Sequence, residues 1–309
     1  MSPFSVLAIV ALFITDINAI FHGRDTDIKD APFAVMIHDS RDLDEFTGLV
    51  CAGTIISKRY ILTAAHCLGE HISDDEIEYD FKWLRVVPGV TSYQCGVKTY
   101  EVLTAYIHRD FTGDLNDNKE VRGDIAILKL KEGIILGPTK RRIRPATVVP
   151  PHDAAGIIYG WGDTLPDEPS FSRILQSSIQ SVYNYEYCKN TDPEAPFRKD
   201  ELCIKGNTGN TFCRGDSGGP VVVNKRLVGI ISHAYECGSD EPGAVTNVAY
   251  YSEWISDVVG GGGPSKRLPF TRKLRASRSH CHVYVMTVYG LFPLVVVSCC
   301  SPLATVFIN

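Results

Sequence analysis

The sequence CRGDSGGP, at residues 213–220, surrounds one serine with glycines. A serine hydroxyl is a weak nucleophile unless a neighbouring base removes its proton. The glycines let a substrate carbonyl approach the backbone, and the N–H groups of Gly215 and Ser217 are two candidate donors to it. A glycine-rich serine loop alone is weak evidence, because most such loops are plain turns.

Two further segments contain the partners that a nucleophilic serine needs. Residues 63–67 read TAAHC and end a strand-like run, so His66 is a candidate base at neutral pH. A lone histidine is nevertheless more often a surface or core residue. Residues 123–130 read GDIAILKL, where Asp124 opens an apolar strand. An aspartate that enters a core needs a polar partner, and an imidazole N–H is a suitable one.

Short apolar runs separated by turn residues recur between these segments. They include Ala34–Ile37, Tyr60–Thr63, Leu84–Val87, Ile125–Leu130, Pro220–Val223 and Arg226–Ser232. This spacing predicts an all-β sandwich or barrel. The clearest helical pattern is the last one, from Tyr250 to Val259. The acidic stretch Asp74–Asp80 lacks the spacing of a calcium loop, so we expect a solvated surface loop and no metal site.

In the order His66, Asp124, Ser217, these segments resemble the trypsin/chymotrypsin-like serine protease family (peptidase family S1). The resemblance covers about residues 20–259. Its further matches are Cys51-Ala52-Gly53, Gly160-Trp161-Gly162 and Ser232 after the strand Gly229-Ile230-Ile231. It implies two six-stranded antiparallel β-barrels with a short C-terminal helix and a site in the cleft between the barrels.

The resemblance also implies a role for each site residue. Ser217 would attack the peptide carbonyl, with His66 as base and then acid and Asp124 orienting His66. The N–H groups of Gly215 and Ser217 would form the oxyanion hole, and Ser232 would donate a hydrogen bond to Asp124. The reaction would require no cofactor.

The resemblance further pairs six of the ten cysteines as disulfides. The implied pairs are Cys51–Cys67, Cys188–Cys203 and Cys213–Cys237. Cys95 is then left over, and a free buried thiol is the simplest interpretation. Pairing with a tail cysteine or with another chain is the alternative.

In this family a new N-terminal isoleucine pairs with the aspartate before the catalytic serine, which here implies Ile20 with Asp216. The residue before Ile20 is Ala19 and not a basic residue. We therefore expect that removal of a leader peptide exposes Ile20 directly. The alternative is a second trimming step after cleavage elsewhere.

The resemblance also assigns the S1 pocket, which holds the substrate side chain that precedes the scissile bond. Its base falls on Thr211, and its walls fall on Phe212, Ala234 and Gly243. Trypsin-like members have an aspartate at the base, so we expect cleavage after an uncharged side chain, as in chymotrypsin or elastase. Phe212 either fills the pocket or points away. Arg214 lies at the rim, where it either favours acidic residues near the scissile bond or is simply solvated.

Composition limits the class of protein. The 309 residues are 44% hydrophobic and 22% charged, with a formal net charge of −5, which argues against a nucleic-acid binder. Residues 20–259 carry 25 basic and 35 acidic side chains, a net charge of −10. Residues 260–309 carry six basic side chains and no acidic one.

The N-terminus predicts secretion. Phe4 to Ile14 form an apolar run of signal-peptide length, too short to span a bilayer, and the small residue Ala19 follows. A disordered or core-docked N-terminus is the alternative. Ten cysteines fit an oxidising compartment, so we expect residues 1–19 to be a signal peptide and the protein to be extracellular.

The last 50 residues lie outside the resemblance. Gly260–Gly263 and Pro264 form a linker, a basic stretch follows, and Val283–Asn309 has no charged side chain. A membrane anchor would put the basic cluster on the wrong side of the membrane, and a GPI signal would need a shorter spacer. We therefore expect a non-native or disordered end that lies outside the fold and makes no membrane contact.

The sequence thus predicts a secreted serine endopeptidase. Its partners would be protein or peptide substrates and protease inhibitors. The alternative is a non-catalytic protease homologue that acts by binding.

Overall fold

The computed structural model describes residues 20, 23–41, 48–68, 70–73, 76–78, 81–92, 96–111, 123–163, 171–191, 197–206, 211–234, 237–260 and 271–275. The predicted signal peptide, Cys95 and most of the C-terminal tail lie outside these residues. No helix among the described residues is long and apolar enough to cross a bilayer.

The first half of the chain forms nine strands. They are β1 (Arg24–Asp25), β2 (Ala34–Asp39), β3 (Leu49–Ile55), β4 (Tyr60–Thr63), β5 (Glu70–Ser73), β6 (Glu76–Glu78), β7 (Leu84–Pro88), β8 (Tyr100–His108) and β9 (Ala126–Leu130). Six of them close into an antiparallel barrel in the order β8-β7-β2-β3-β4-β9, because β8 also pairs with β9. β5 and β6 form a separate hairpin, and β6 lies within the acidic stretch Asp74–Asp80 that was expected to be a loop.

The second half forms the other barrel. The elements of this half of the chain are β10 (Arg144–Pro145), β11 (Ala154–Gly160), β12 (Gln176–Tyr183), α1 (Tyr185–Thr191), β13 (Glu201–Gly206), β14 (Pro220–Val223), β15 (Arg226–His233), β16 (Gly243–Asn247), α2 (Ser252–Val259) and β17 (Thr271–Arg275). The order β12-β11-β14-β15-β16-β13 is closed by the pairing of β12 with β13. The two six-stranded barrels confirm the predicted fold class.

Branched and aliphatic side chains fill each barrel. The core of the first includes Val35, Ile37, Ile61, Leu62 and Leu128, and that of the second includes Ile158, Val221, Ile231 and Val245. The helix α2 returns to the first barrel and buries Trp254, Ile255 and Val258 against it. These apolar positions lie on one face of a helix, as the sequence predicted.

Most of residues 260–309 lies outside the residues that the structure describes, but the strand β17 is described. β17 runs antiparallel to β8, from Thr271 opposite His108 to Arg275 opposite Thr104. This strand lies beyond the linker at the edge of the first barrel. That the tail as a whole lies outside the catalytic fold stays a prediction.

The serine loop contacts both barrels through backbone hydrogen bonds. The N–H of Ala52 on β3 donates to the carbonyl of Ser217 at 2.7 Å, and the N–H of Gly218 donates to the carbonyl of Ile231 on β15 at 2.8 Å. Gly218 has φ of +78°. A Cβ on Gly218 would lie 2.2 Å from Thr63 Oγ1 and 2.4 Å from the Ala52 carbonyl oxygen. Only glycine fits between the barrels at this position.

We therefore expect Gly218→Ala to lower the free energy of unfolding by about 2–4 kcal/mol, through backbone strain and overpacking. Gly137→Ala is the matched control, because Gly137 has no atom within 4 Å of an added Cβ and no positive φ. Urea unfolding followed by tryptophan fluorescence measures both variants. Equal stability of the two variants would contradict this account of the barrel contact.

Candidate active site

His66 is fixed at the end of β4. A 3-10 turn begins at His66, and the next residue, Cys67, is disulfide-bonded to Cys51 on β3. The N–H of His66 donates to Asp124 Oδ1 at 3.0 Å, and His66 Nδ1 lies 2.8 Å from Asp124 Oδ2. The side chain of His66 is 14% exposed, so one edge of the imidazole still reaches the cleft.

Asp124 is buried directly before β9. Besides the two contacts with His66, its carboxylate accepts a 2.5 Å hydrogen bond from Ser232 Oγ. Burial raises the pKa of the Asp124 carboxyl, but the charge and hydrogen bonds of His66 and the Ser232 hydroxyl outweigh it, so the pKa falls to about 2. An ionised carboxylate only accepts hydrogen bonds, so His66 Nδ1 carries a proton, and in the neutral imidazole Nε2 is then the acceptor.

The backbone around Asp124 is held as firmly as its side chain. Thr246 Oγ1 on β16 donates to the Asp124 carbonyl at 2.8 Å, and the N–H of Gly123 donates to Asp200 Oδ2 at 3.3 Å. Asp200 is itself bonded by the Tyr251 hydroxyl at 2.6 Å. Strand β16, the start of β13 and the approach to α2 therefore all hold the carboxylate in place.

Ser217 lies in the turn that joins the barrels. Its Oγ donates to the carbonyl of Ser232 at 3.4 Å. Within the described residues, no hydrogen bond joins Ser217 Oγ to His66 Nε2. Catalytic hydrogen bonds are often long or misaligned without substrate, and a change of serine rotamer re-aims the hydroxyl.

The predicted oxyanion donors are free in the described part of the chain. Neither the N–H of Gly215 nor that of Ser217 donates to another described residue. Gly215 has φ of +92°, and a Cβ there would lie 2.8 Å from the ring of Phe171. Glycine therefore lets the chain turn here, and that the two N–H groups form an oxyanion hole stays a prediction.

Asp216 points the other way, into the second barrel. It is fully buried and accepts hydrogen bonds from the N–H groups of Gly162 at 2.8 Å and Cys213 at 3.0 Å. Burial raises the pKa of Asp216 to about 7, against the effect of these two hydrogen bonds, and the nearby Asp163 raises it further. No described cation pairs with it. Ile20 is also fully buried, in the apolar core of this barrel.

Among the predicted S1 residues, Phe212 lies against Gly243 and shares an apolar cluster with Ala234. Phe212 is 4% exposed, and a Cβ on Gly243 would lie 2.4 Å from Phe212 Cε1. Thr211 is buried beside it, and Ala234 packs against the same apolar core. The ring of Phe212 thus packs against Gly243 and the apolar core of the second barrel, and that these residues line the S1 pocket stays a prediction.

His233 extends the hydrogen bonds around Asp124. Its Nδ1 lies 3.2 Å from Ser232 Oγ. The single hydroxyl proton of Ser232 is donated to Asp124, so His233 Nδ1 is the donor in this contact. Burial lowers the pKa of His233; Asp124 opposes that shift and His66 adds to it. The lowered pKa favours the neutral form of His233, whose Nδ1–H supports Ser232.

The described cysteines form three disulfides, Cys51–Cys67, Cys188–Cys203 and Cys213–Cys237, the pairs that the resemblance implied. Cys51, His66 and Cys67 place potential ligand atoms within 4.8 Å of one another. The two sulfur atoms are bonded to each other, so they offer no thiolate to a metal ion.

Three supporting residues were missed in the sequence: Thr246, Asp200 and His233. Thr246 and Asp200 act through contacts between distant segments, such as Asp124 with Thr246, 122 positions apart, whereas His233 acts on its neighbour Ser232. The only sequence signal is polarity in otherwise apolar surroundings, which does not identify a partner.

Comparisons with known proteins agree with this geometry. The family model described as Trypsin matches residues 20–255. Trypsin iota of Drosophila melanogaster is 29% identical over 82% of this chain and 97% of its own length. The structure of neuropsin, a serine protease of mouse brain, has a TM-score of 0.65 and 24% identity and covers 78% of this chain and 100% of that one. The scabies mite inactivated protease paralogue S-D1 has a TM-score of 0.65 and 23% identity, with 78% and 98% covered.

The buried carboxyl of Glu201 interacts with Asp200 and Asp124, so the burial of charge around the site can be tested by varying the pH. Glu201 is 7% exposed and accepts the N–H of Arg198 at 2.9 Å. Burial, and then the adjacent Asp200, raise the pKa of Glu201 to about 8. Above about pH 4.5, Glu201 keeps its proton in the folded chain but loses it in the unfolded chain. The free energy of unfolding therefore falls as the pH rises from about 4.5 to about 8.

We expect Glu201→Gln to leave stability unchanged at pH 4 and to raise it by roughly 2–4 kcal/mol at pH 9. Urea unfolding at both pH values measures the difference. Glu253→Gln, on the exposed side of α2, is the control and changes stability little at either pH. The same effect of Glu201→Gln at both pH values would show that Glu201 is not protonated in the fold.

Proposed function

The chain belongs to the trypsin family of serine proteases, and we propose that it is a serine endopeptidase with the triad Ser217, His66 and Asp124. One observation carries the proposal. Asp124 is held ionised in the core, and its contact with His66 Nδ1 leaves Nε2 as the proton acceptor. A base held in this tautomer beside a serine loop is what acyl transfer requires.

The reaction follows from these positions. Ser217 Oγ turns from the Ser232 carbonyl, loses its proton to His66 Nε2 and forms a bond to the substrate carbonyl carbon. The oxygen of the tetrahedral intermediate takes hydrogen bonds from the N–H groups of Gly215 and Ser217. His66 then gives its proton to the leaving amine as the peptide C–N bond breaks. Water hydrolyses the acyl-enzyme with His66 again as base.

Activation would use the buried carboxyl of Asp216. Removal of residues 1–19 would give Ile20 a free amine, and that amine would pair with Asp216 in the second barrel. The pair would favour the ionised carboxyl, whose pKa is otherwise raised to about 7 by burial. Losing one member of a buried ion pair costs about 3–5 kcal/mol, so the pair would stabilise the serine loop substantially. The leader also implies a secreted enzyme.

The position of Phe212 supports an elastase-like specificity better than a chymotrypsin-like one. Its ring lies against Gly243, so the pocket retains little room for the side chain before the scissile bond. We propose cleavage after small uncharged residues in protein or peptide substrates. Inhibitors that present such a residue would be natural partners.

A non-catalytic, binding function is the second candidate. The observation in its favour is that Ser217 Oγ donates to the Ser232 carbonyl and not to His66. One structurally similar protein is named an inactivated protease paralogue, which says that this fold also exists in a form without activity.

Labelling of the secreted protein with a fluorophosphonate tests the function. We expect covalent labelling of Ser217 in protein whose N-terminus is Ile20, none in Ser217→Ala, and at least a 10⁴-fold loss of peptide hydrolysis in His66→Ala. Edman sequencing and mass spectrometry identify the N-terminus and the labelled residue. Native protein that labels no better than Ser217→Ala favours the binding function. Active enzyme that starts elsewhere contradicts the activation step.

Opening the pocket tests its specificity. We expect Phe212→Ala to raise the ratio of kcat/KM for phenylalanine over alanine before the scissile bond by about 10- to 100-fold, because the removed ring leaves space for a larger side chain. Phe197→Ala is the control, since Phe197 is buried in a separate cluster beside the Cys188–Cys203 disulfide. An unchanged ratio in folded Phe212→Ala would mean that Phe212 does not limit the pocket.

A further inference from the structure

Arg214 stands directly before the oxyanion donor Gly215 and faces solvent. Its side chain is 64% exposed, whereas that of its partner Asp163 is 9% exposed. Arg214 Nε donates to Asp163 Oδ2 at 2.9 Å. Solvent therefore meets the guanidinium of this pair, while the carboxylate lies beneath it.

Two further contacts hold the arginine in place. Its guanidinium carbon lies 5.2 Å from the centroid of the Phe171 ring, in a cation–π arrangement. The N–H of Asp163 donates to the Arg214 carbonyl at 2.7 Å. Because the side chain is already ordered, a ligand that binds it loses little further conformational entropy.

The outer edge of this guanidinium is unused. Only Nε of Arg214 bonds to Asp163, and neither Nη atom has an acceptor among the described residues. Arg41 shows the other arrangement, since its Nε and one Nη both bond to the carboxylate of Asp39. An arginine that only neutralised Asp163 could bond in that way. Arg214 instead keeps two N–H-bearing nitrogens free, and such a planar fork matches a carboxylate.

We propose that Arg214 binds a carboxylate of the substrate, in a residue within two positions of the scissile bond. The enzyme would then prefer an aspartate or glutamate beside the cleaved bond, in addition to a small residue in the pocket. Arg214 is a specificity residue in this proposal, which rests on the proposed protease function. The net charge of −10 over residues 20–259 makes a preformed local cation necessary for such a preference.

Matched peptides test the proposal. Each has alanine before the scissile bond and either glutamate or glutamine at one of the neighbouring positions on each side. We expect about 10-fold higher kcat/KM for glutamate at one or more positions, decreasing with added salt. Arg214→Gln should abolish the ratio and Arg214→Lys should keep part of it. Arg226→Gln, an exposed arginine at the far end of β15, should leave the ratio unchanged.

Binding of the same peptides to Ser217→Ala separates this proposal from the proposed function. Glutamate should bind better than glutamine, and the difference should vanish in Ser217→Ala/Arg214→Gln. Hydrolysis without a glutamate preference, or with a preference that survives Arg214→Gln, overturns the role of Arg214. A glutamate preference in binding without hydrolysis by native protein overturns the protease function alone. Absence of both overturns both.

Discussion

The ionised carboxylate of Asp124 is the constraint on which the rest of the site depends. A buried charge is tolerated only when hydrogen bonds replace its hydration. Here those bonds come from both barrels, with His66 at the end of β4 and Ser232 on β15, while Thr246 holds the backbone carbonyl. The position of the histidine, the tautomer of its ring and the approach of the barrels all follow from satisfying this one carboxylate.

Much of the fold could be predicted because the strands beside the site are apolar. β4 and β14 begin and end where the pattern placed them, and α2 lies within the predicted helical segment. The catalytic residues could be predicted for a related reason. Asp124 follows Gly123 and Ser217 precedes Gly218, both glycines with positive φ, while His66 precedes the disulfide-bonded Cys67.

Other parts could not be predicted, because tertiary contacts reverse the usual pattern there. β12 reads QSSIQSVY, and it buries Gln176, Ser178 and Gln180 while Ile179 is 58% exposed. Some of these buried polar side chains have partners far away in sequence, such as Ser177 with Thr26, 151 positions apart. The orientation of Phe212 was open for the same reason, since its neighbour Gly243 lies 31 positions away.

The most direct measurement is a crystal structure of the mature enzyme after reaction with a peptidyl phosphonate that carries an alanine-sized side chain. The account predicts a covalent bond from phosphorus to Ser217 Oγ. It places the phosphonyl oxygen within hydrogen-bond distance of the N–H groups of Gly215 and Ser217, with His66 Nε2 facing the leaving-group position. An unmodified Ser217 after full exposure, or a phosphonyl oxygen turned away from both N–H groups, would contradict it.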